Sequence, residues 1–176
     1  MSQIKQLQMT FVPVEDRILF RVNIADRTIS QIRFWITRRY VKVLWKALLN
    51  MLESRKGSTE SQKAQPDHQA QSGSMDLEHK KAVADADFET SFQENAVFPL
   101  GEAPILLSRV GVRNSAEGGQ MIRLDPLKGN GIEFTLNDKM LHSICKLVAD
   151  TAQKAEWDLQ LDFAKAQQLL EPGGLN

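Results

Sequence analysis

A single cysteine, Cys145, among 176 residues rules out an intramolecular disulfide. The chain also lacks any run near the roughly 18 consecutive apolar residues of a membrane-spanning helix. Its best candidate, RFWITRRYVKVLWKALLNML from Arg33 to Leu52, is interrupted by Lys42 and Lys46. The first residues, MSQIKQLQMTF, lack the continuous apolar stretch of a secretory signal. These shortages exclude a helical anchor and leave a reducing cytoplasm as the expected compartment.

Chemistry-bearing motifs are equally scarce. The histidines are His68, His79 and His142, and only His142 and Cys145, three apart on an expected helix, could meet. A nucleophilic pair would also need an orienting group and an oxyanion site, and two ligands are too few for structural zinc. The pair reads as a buried thiol beside a surface imidazole. Asp158 and Asp162 share one face of an expected last strand but would stand about 13 Å apart, beyond the roughly 5 to 9.5 Å of glycosidase carboxylates. KGNG and EGG each precede a strand rather than a helix N-terminus, which makes them hairpin turns and not phosphate loops. No catalytic constellation emerges, no cofactor or metal is expected, and the chain reads as non-enzymatic.

What is present is a charge asymmetry. The net charge is zero, yet residues 1–56 carry eleven Lys/Arg against four Asp/Glu, and the remainder eleven against eighteen. A basic half can attract nucleic acid, anionic lipid or an acidic protein surface, or be neutralised by the acidic remainder of its own chain.

Apolar side chains largely alternate with polar ones from Leu7 to Phe11 and from Arg17 to Ile24, with PVED as a turn between them. A third alternating stretch, Ile29 to Ile36, leads to Thr37, a good N-cap, and to a helix expected from Arg38 to about Ser54. At 100° per residue, Arg38, Arg39, Lys42, Lys46, Asn50 and Glu53 fall within about 120° of arc. The apolar arc of about 200° is wider than the roughly 100° stripe of a helix laid on one sheet, and only Leu49 strays into the polar sector. This helix therefore needs a second packing surface. Tyr40, Ala47 and Met51, on the flank away from Leu44 and Leu48, are the candidates for self-association.

Shifted by one hundred residues, IEFTLNDKMLHSICKLVADTAQK overlies IRFWITRRYVKVLWKALLNMLES, matching Phe34 to Phe134, the Thr37 cap to Asn137, and Val41, Leu44 and Leu48 to Leu141, Ile144 and Val148. Strands are expected upstream at Ile105 to Arg113 and Gly119 to Leu127, and a final alternating strand at WDLQLDF. The expected fold is α+β: two strand-strand-strand-helix units forming a largely antiparallel sheet with packed helices. The first unit covers 1–56. Residues 57–103 form a flexible linker containing an acidic, weakly helical segment from Met75 to Asn95, with Leu77, Ala84, Phe88 and Phe92 near one face. The second unit and last strand cover 104–163, and a frayed tail 164–176. Strands followed by a helix, twice over, resemble the layout of the single-strand-binding whirly and PUR families, which use four strands per unit.

One surface could carry recognition. Period-two alternation places Arg17, Leu19 and Arg21 on the outer face of one strand, with Arg33 and Trp35 on another. Cations interleaved with an aromatic suit single-stranded nucleic acid, the cations tracking phosphates and the ring stacking a base. Arg17, Arg21, Arg33 and Trp35 are therefore the candidate nucleic-acid contacts, unless the acidic segment or the second unit covers them. The leading expectation is an interaction or assembly protein with a protein partner or a second copy of itself; the alternative is a single-strand binder.

Overall fold

The computed structural model of the chain describes residues 3–25, 29–59, 68–84, 90–94, 97–114 and 119–163. Alternating sequence becomes strand in both halves: β1 (Gln3–Val12), β2 (Arg17–Ala25) and β3 (Ile29–Ile36), then β4 (Ile105–Asn114), β5 (Gln120–Pro126) and β6 (Ile132–Leu136). They form one mixed sheet in chain order. Neighbours run antiparallel except β3 and β4, which are parallel and joined only at Phe34↔Ile105 and Trp35↔Leu106. The β1–β2 connection is a 3-10 turn at Pro13–Glu15, closed by the Asp16 backbone N–H on Pro13 O at 3.1 Å, with Asp16 left-handed at φ 47°.

Each three-stranded meander ends in a capped helix. The Tyr40 backbone N–H donates to Thr37 Oγ1 at 3.2 Å at the start of α1 (Arg38–Thr59), and the Met140 N–H donates to Asn137 Oδ1 at 2.8 Å at the start of α3 (Asp138–Lys154). These side-chain oxygens satisfy N–H groups that have no partner inside the helix. Between the meanders lies α2 (His68–Ala84). It occupies part of the stretch expected as flexible linker, and α1 itself runs on to Thr59. The sequence-expected tail 164–176 and Phe88 lie outside the described residues.

The core lies between the inner sheet face and the helices. Ile18, Phe20, Val22, Ile32, Phe34 and Ile36 meet Val41, Leu44, Trp45 and Leu48, and Ile122, Leu124, Phe134 and Leu136 continue the same cluster. The second surface required by the wide arc of α1 belongs to its own chain, because α1 packs against both β4 and α3. Two of the three self-association candidates are therefore internal to the chain. Tyr40 and Met51 are buried in the core, Tyr40 donating its hydroxyl to Arg109 O of β4 at 3.1 Å, and Ala47 is half-buried. Leu49 is buried too, although the helical wheel puts it in the polar sector. Burial pushes the Tyr40 phenol well above its ordinary pKa, the Asp125 carboxylate adding to the shift.

The expected last strand does not form. Glu156 and Asp158 take left-handed φ of 54° and 50°, which breaks the period-two path after α3. Residues 157–163 instead fold back irregularly over the core. Trp157 donates Nε1–H to Asp16 Oδ1 at 2.9 Å and meets Phe11 edge-on at 5.9 Å, while Phe163 packs 5.5 Å from Trp45. The apolar positions of WDLQLDF are thus partly buried, without a ladder. Among the described residues, no helix is long and apolar enough to cross a membrane.

Candidate functional site

The register of the first meander decides what its outer face presents. Ladder pairing sets Gln8, Arg21 and Arg33 in one row, Gln6, Asn23 and Gln31 in the next, and Thr10, Leu19 and Trp35 on the other side. Arg21 and Arg33 stand directly opposite each other across β2 and β3, a like-charge pairing that destabilises a sheet unless an anion intervenes. Both are half-buried, with 18 % and 22 % of their side chains exposed.

The anion is Glu94. Its carboxylate pairs with Arg21 and lies 3.7 Å from Arg33 Nη2. The hydrogen bond from Arg21 holds the Glu94 carboxyl below its usual range, with Gln31 and Arg33 contributing. Residues 90–94 form a strap that lies over the meander. Phe92 stacks on the Arg21 guanidinium at 4.6 Å, and beyond the strap Phe98 stacks on Arg33 at 4.5 Å. Arg21 also donates to Gln8, yet its Nε is buried without a hydrogen-bond partner among the described residues. The expected helical face therefore does not reach Phe92. Thr90–Glu94 are non-helical, and their contacts explain why: the backbone is bound from the side by the sheet.

That binding is done by the amide side chains of Gln6 and Asn23, with one backbone bond beyond the strap. Gln6 Nε2 donates to Ser91 O at 3.2 Å while Gln6 Oε1 accepts from the Gln93 N–H at 3.0 Å. Asn23 Nδ2 donates to Gln93 O at 2.8 Å, and the Gln31 backbone N–H donates to Val97 O at 2.8 Å. The amides are held in line, Asn23 to Gln6 at 3.3 Å and Gln31 to Asn23 at 3.4 Å, with Asn23 1 % and Gln31 0 % exposed. Sequence reasoning passed over Gln6, Asn23 and Gln31. Their one signal is amide residues recurring at outer-face positions of three successive strands.

The other predicted contacts are not brought under the strap. Trp35 is half-buried in the adjoining row beside Leu19 and, across the parallel junction, Leu106. Arg17 lies at the far end of β2, 3.8 Å from Glu15. The second meander treats its outer charges differently. Arg123 bonds Asp125 at 2.9 Å and reaches Glu133 at 3.4 Å, and Glu133 also takes Arg113, so acids and bases neutralise one another within the sheet.

A second cluster joins α2 to α3. His79 Nδ1 and His142 Nδ1 are 3.1 Å apart, and the Phe163 ring lies 4.4 Å from His79. Burial, then the His142 charge, lowers the His79 pKa to about 4. His142 is thus buried beneath α2 rather than on the surface as its wheel position implied. Cys145 is fully buried, which pushes its thiol pKa well up and leaves it an inert neutral side chain. Among the described residues, no group of three metal-ligating side chains converges.

Against known proteins, the chain matches no family model, no curated protein and no solved structure. The resemblance in layout to the whirly and PUR families finds no support among these comparisons.

Proposed function

We propose that the chain is a non-enzymatic interaction protein of the cytoplasm, and that its recognition surface is the outer face of β1, β2 and β3. The observation that supports it is the opposed, half-buried Arg21–Arg33 pair, which needs an anion and has one only because a separate segment of chain is laid over it. The second meander, of the same strand order, neutralises its outer arginines within the sheet and needs no such cover. A second reading, single-stranded nucleic acid, is favoured by the row beside the strap, where half-buried Trp35 lies between the Arg17 and Arg33 rows on the same face.

Selection from a random peptide library and a random single-stranded DNA pool separates these. The bait is full-length Glu94→Gln, and Arg21→Ala/Arg33→Ala serves for counter-selection. Peptides that depend on the arginines support the first reading, and oligonucleotides that do so support the second. Enrichment of neither sinks both and leaves the face a structural contact.

A further inference from the structure

We infer that this face is a groove for an extended peptide carrying an aromatic residue two positions before a carboxylate, and that residues 90–94 are its resident occupant. The inference rests on the reading of this face as the recognition surface and names what it takes. Three features of the contact carry it.

The first is the amide clamp. Gln6 gives a hydrogen bond to Ser91 O and takes one from Gln93 N–H, and Asn23 gives one to Gln93 O. Backbone groups two residues apart face the same side of an extended chain, so one glutamine does for the strap what a neighbouring strand would do. A sugar-phosphate backbone has no N–H to offer Gln6 Oε1, whereas every peptide except proline does. The second feature is side-chain reading. The Arg21 plane takes the ring of Phe92, and Arg21 and Arg33 together take the carboxylate of Glu94, which fixes an aromatic-x-acid order along the chain. Phe92 also walls a groove of about 370 Å³ with Leu7, Met140 and Leu147, so a larger ring has room at that position.

The third feature is that the occupant is imperfect. Glu94 remains 61 % exposed, and Arg21 Nε is left buried without a partner among the described residues. Segments held by few buried contacts open at low free-energy cost. A partner segment of the same chemistry competes with the tethered strap, whose effective concentration is in the millimolar range, and gains whatever it adds at Arg21 Nε.

The test uses the full chain and a fluorescein-labelled peptide, TSFQENAVFPLGE (residues 90–102), read by anisotropy. Phe92→Ala/Glu94→Gln weakens the strap and is expected to bind the peptide at least tenfold more tightly than the unaltered protein. Adding Gln6→Ala or Arg21→Ala to that variant is expected to reverse the gain. A peptide with lysine in place of its glutamate at the Glu94 position should not bind, and one with tryptophan for the Phe92 ring should bind at least as well. Should the double variant lose its fold by circular dichroism, Glu94→Lys alone makes the same comparison. No peptide binding by a folded, strap-weakened variant overturns the inference. Arg21-dependent binding of oligo-dT without peptide binding also overturns it, while leaving the face as the recognition surface.

Discussion

Glu94 is the residue on which the site turns, because it is the carboxylate that lets Arg21 and Arg33 stand side by side. Glu94→Gln keeps the shape and removes the charge. We expect backbone amide exchange at Gln93 and Gln31 to quicken at least tenfold while the core amides of β2 keep their protection. Unchanged exchange at both would show that the strap is held by its rings and the amide clamp alone. The pH dependence follows from the lowered carboxyl pKa. Docking of the strap is fully present above the ordinary value of 4.5 and weakens as pH falls through the lower docked value, since protonation is what the docked state resists. Elsewhere, Gly131 meets the tightest steric demand among the described glycines. A Cβ at Gly131 would overlap Leu124 O and the Asp125 side chain where β6 enters the ladder with β5. Gly131→Ala should therefore cost roughly 1–3 kcal/mol, read as a lowered urea midpoint.

At the scale of elements, α2 is attached to α3 through histidines, which makes its docking sensitive to protons. His79 faces His142, Lys146 and Asp150 on α3 and Phe163 from the closing segment, with Asp76 one turn back on α2. Its pKa falls from 6.5 free to about 4 docked, so the docked helix binds fewer protons. Docking is complete above pH 6.5 and is lost progressively below it, the loss levelling off near 4. Protection factors in 76–84, corrected for the intrinsic exchange rate at each pH, should thus fall between pH 7 and pH 5 in the unaltered protein, and His79→Phe should flatten that fall. An equal slope in both would remove the histidine pair from the docking of α2. The strands and caps were legible in sequence because they are local. Thr37 and Asn137 hydrogen-bond residues three positions on, and alternation in Arg17–Ala25 needs only neighbours. WDLQLDF has the same alternation and no ladder, because the left-handed turns at Glu156 and Asp158 redirect it and its apolar side chains find burial against Phe11 and Trp45.

At the scale of the molecule, the apolar surplus of α1 is consumed inside the chain. Met51 is fully buried, so Met51→Ala should cost about 2–5 kcal/mol of stability and leave the sedimentation coefficient of the native protein unchanged. A shift in oligomeric state without a loss of stability would restore Met51 to an interface. The charge asymmetry is likewise answered in part internally. Arg21 and Arg33 of the basic half take Glu94, and Arg55 bonds Gln120 at 3.0 Å and pairs with Asp138 at the start of α3. Arg38, Arg39, Lys42 and Lys46 remain on the exposed edge of α1.

The sequence by itself determined the α+β class, the six strands, the two capped helices and the outer-face placement of Arg17, Arg21, Arg33 and Trp35. All of these follow from a two- or 3.6-residue period and from side chains acting within one turn. Only the tertiary structure decided that β3 and β4 pair in parallel, that Tyr40 bonds β4 and Met51 is buried in the core, and that Gln6, Asn23 and Gln31 form a clamp. Those outcomes join residues as much as 87 positions apart, as Gln6 and Gln93 are. Periodicity says that a face must be covered and which charges it bears. It does not say by what, because any surface of matching shape and polarity in the chain competes for that face, and the winner is set by the energy of the whole packed arrangement.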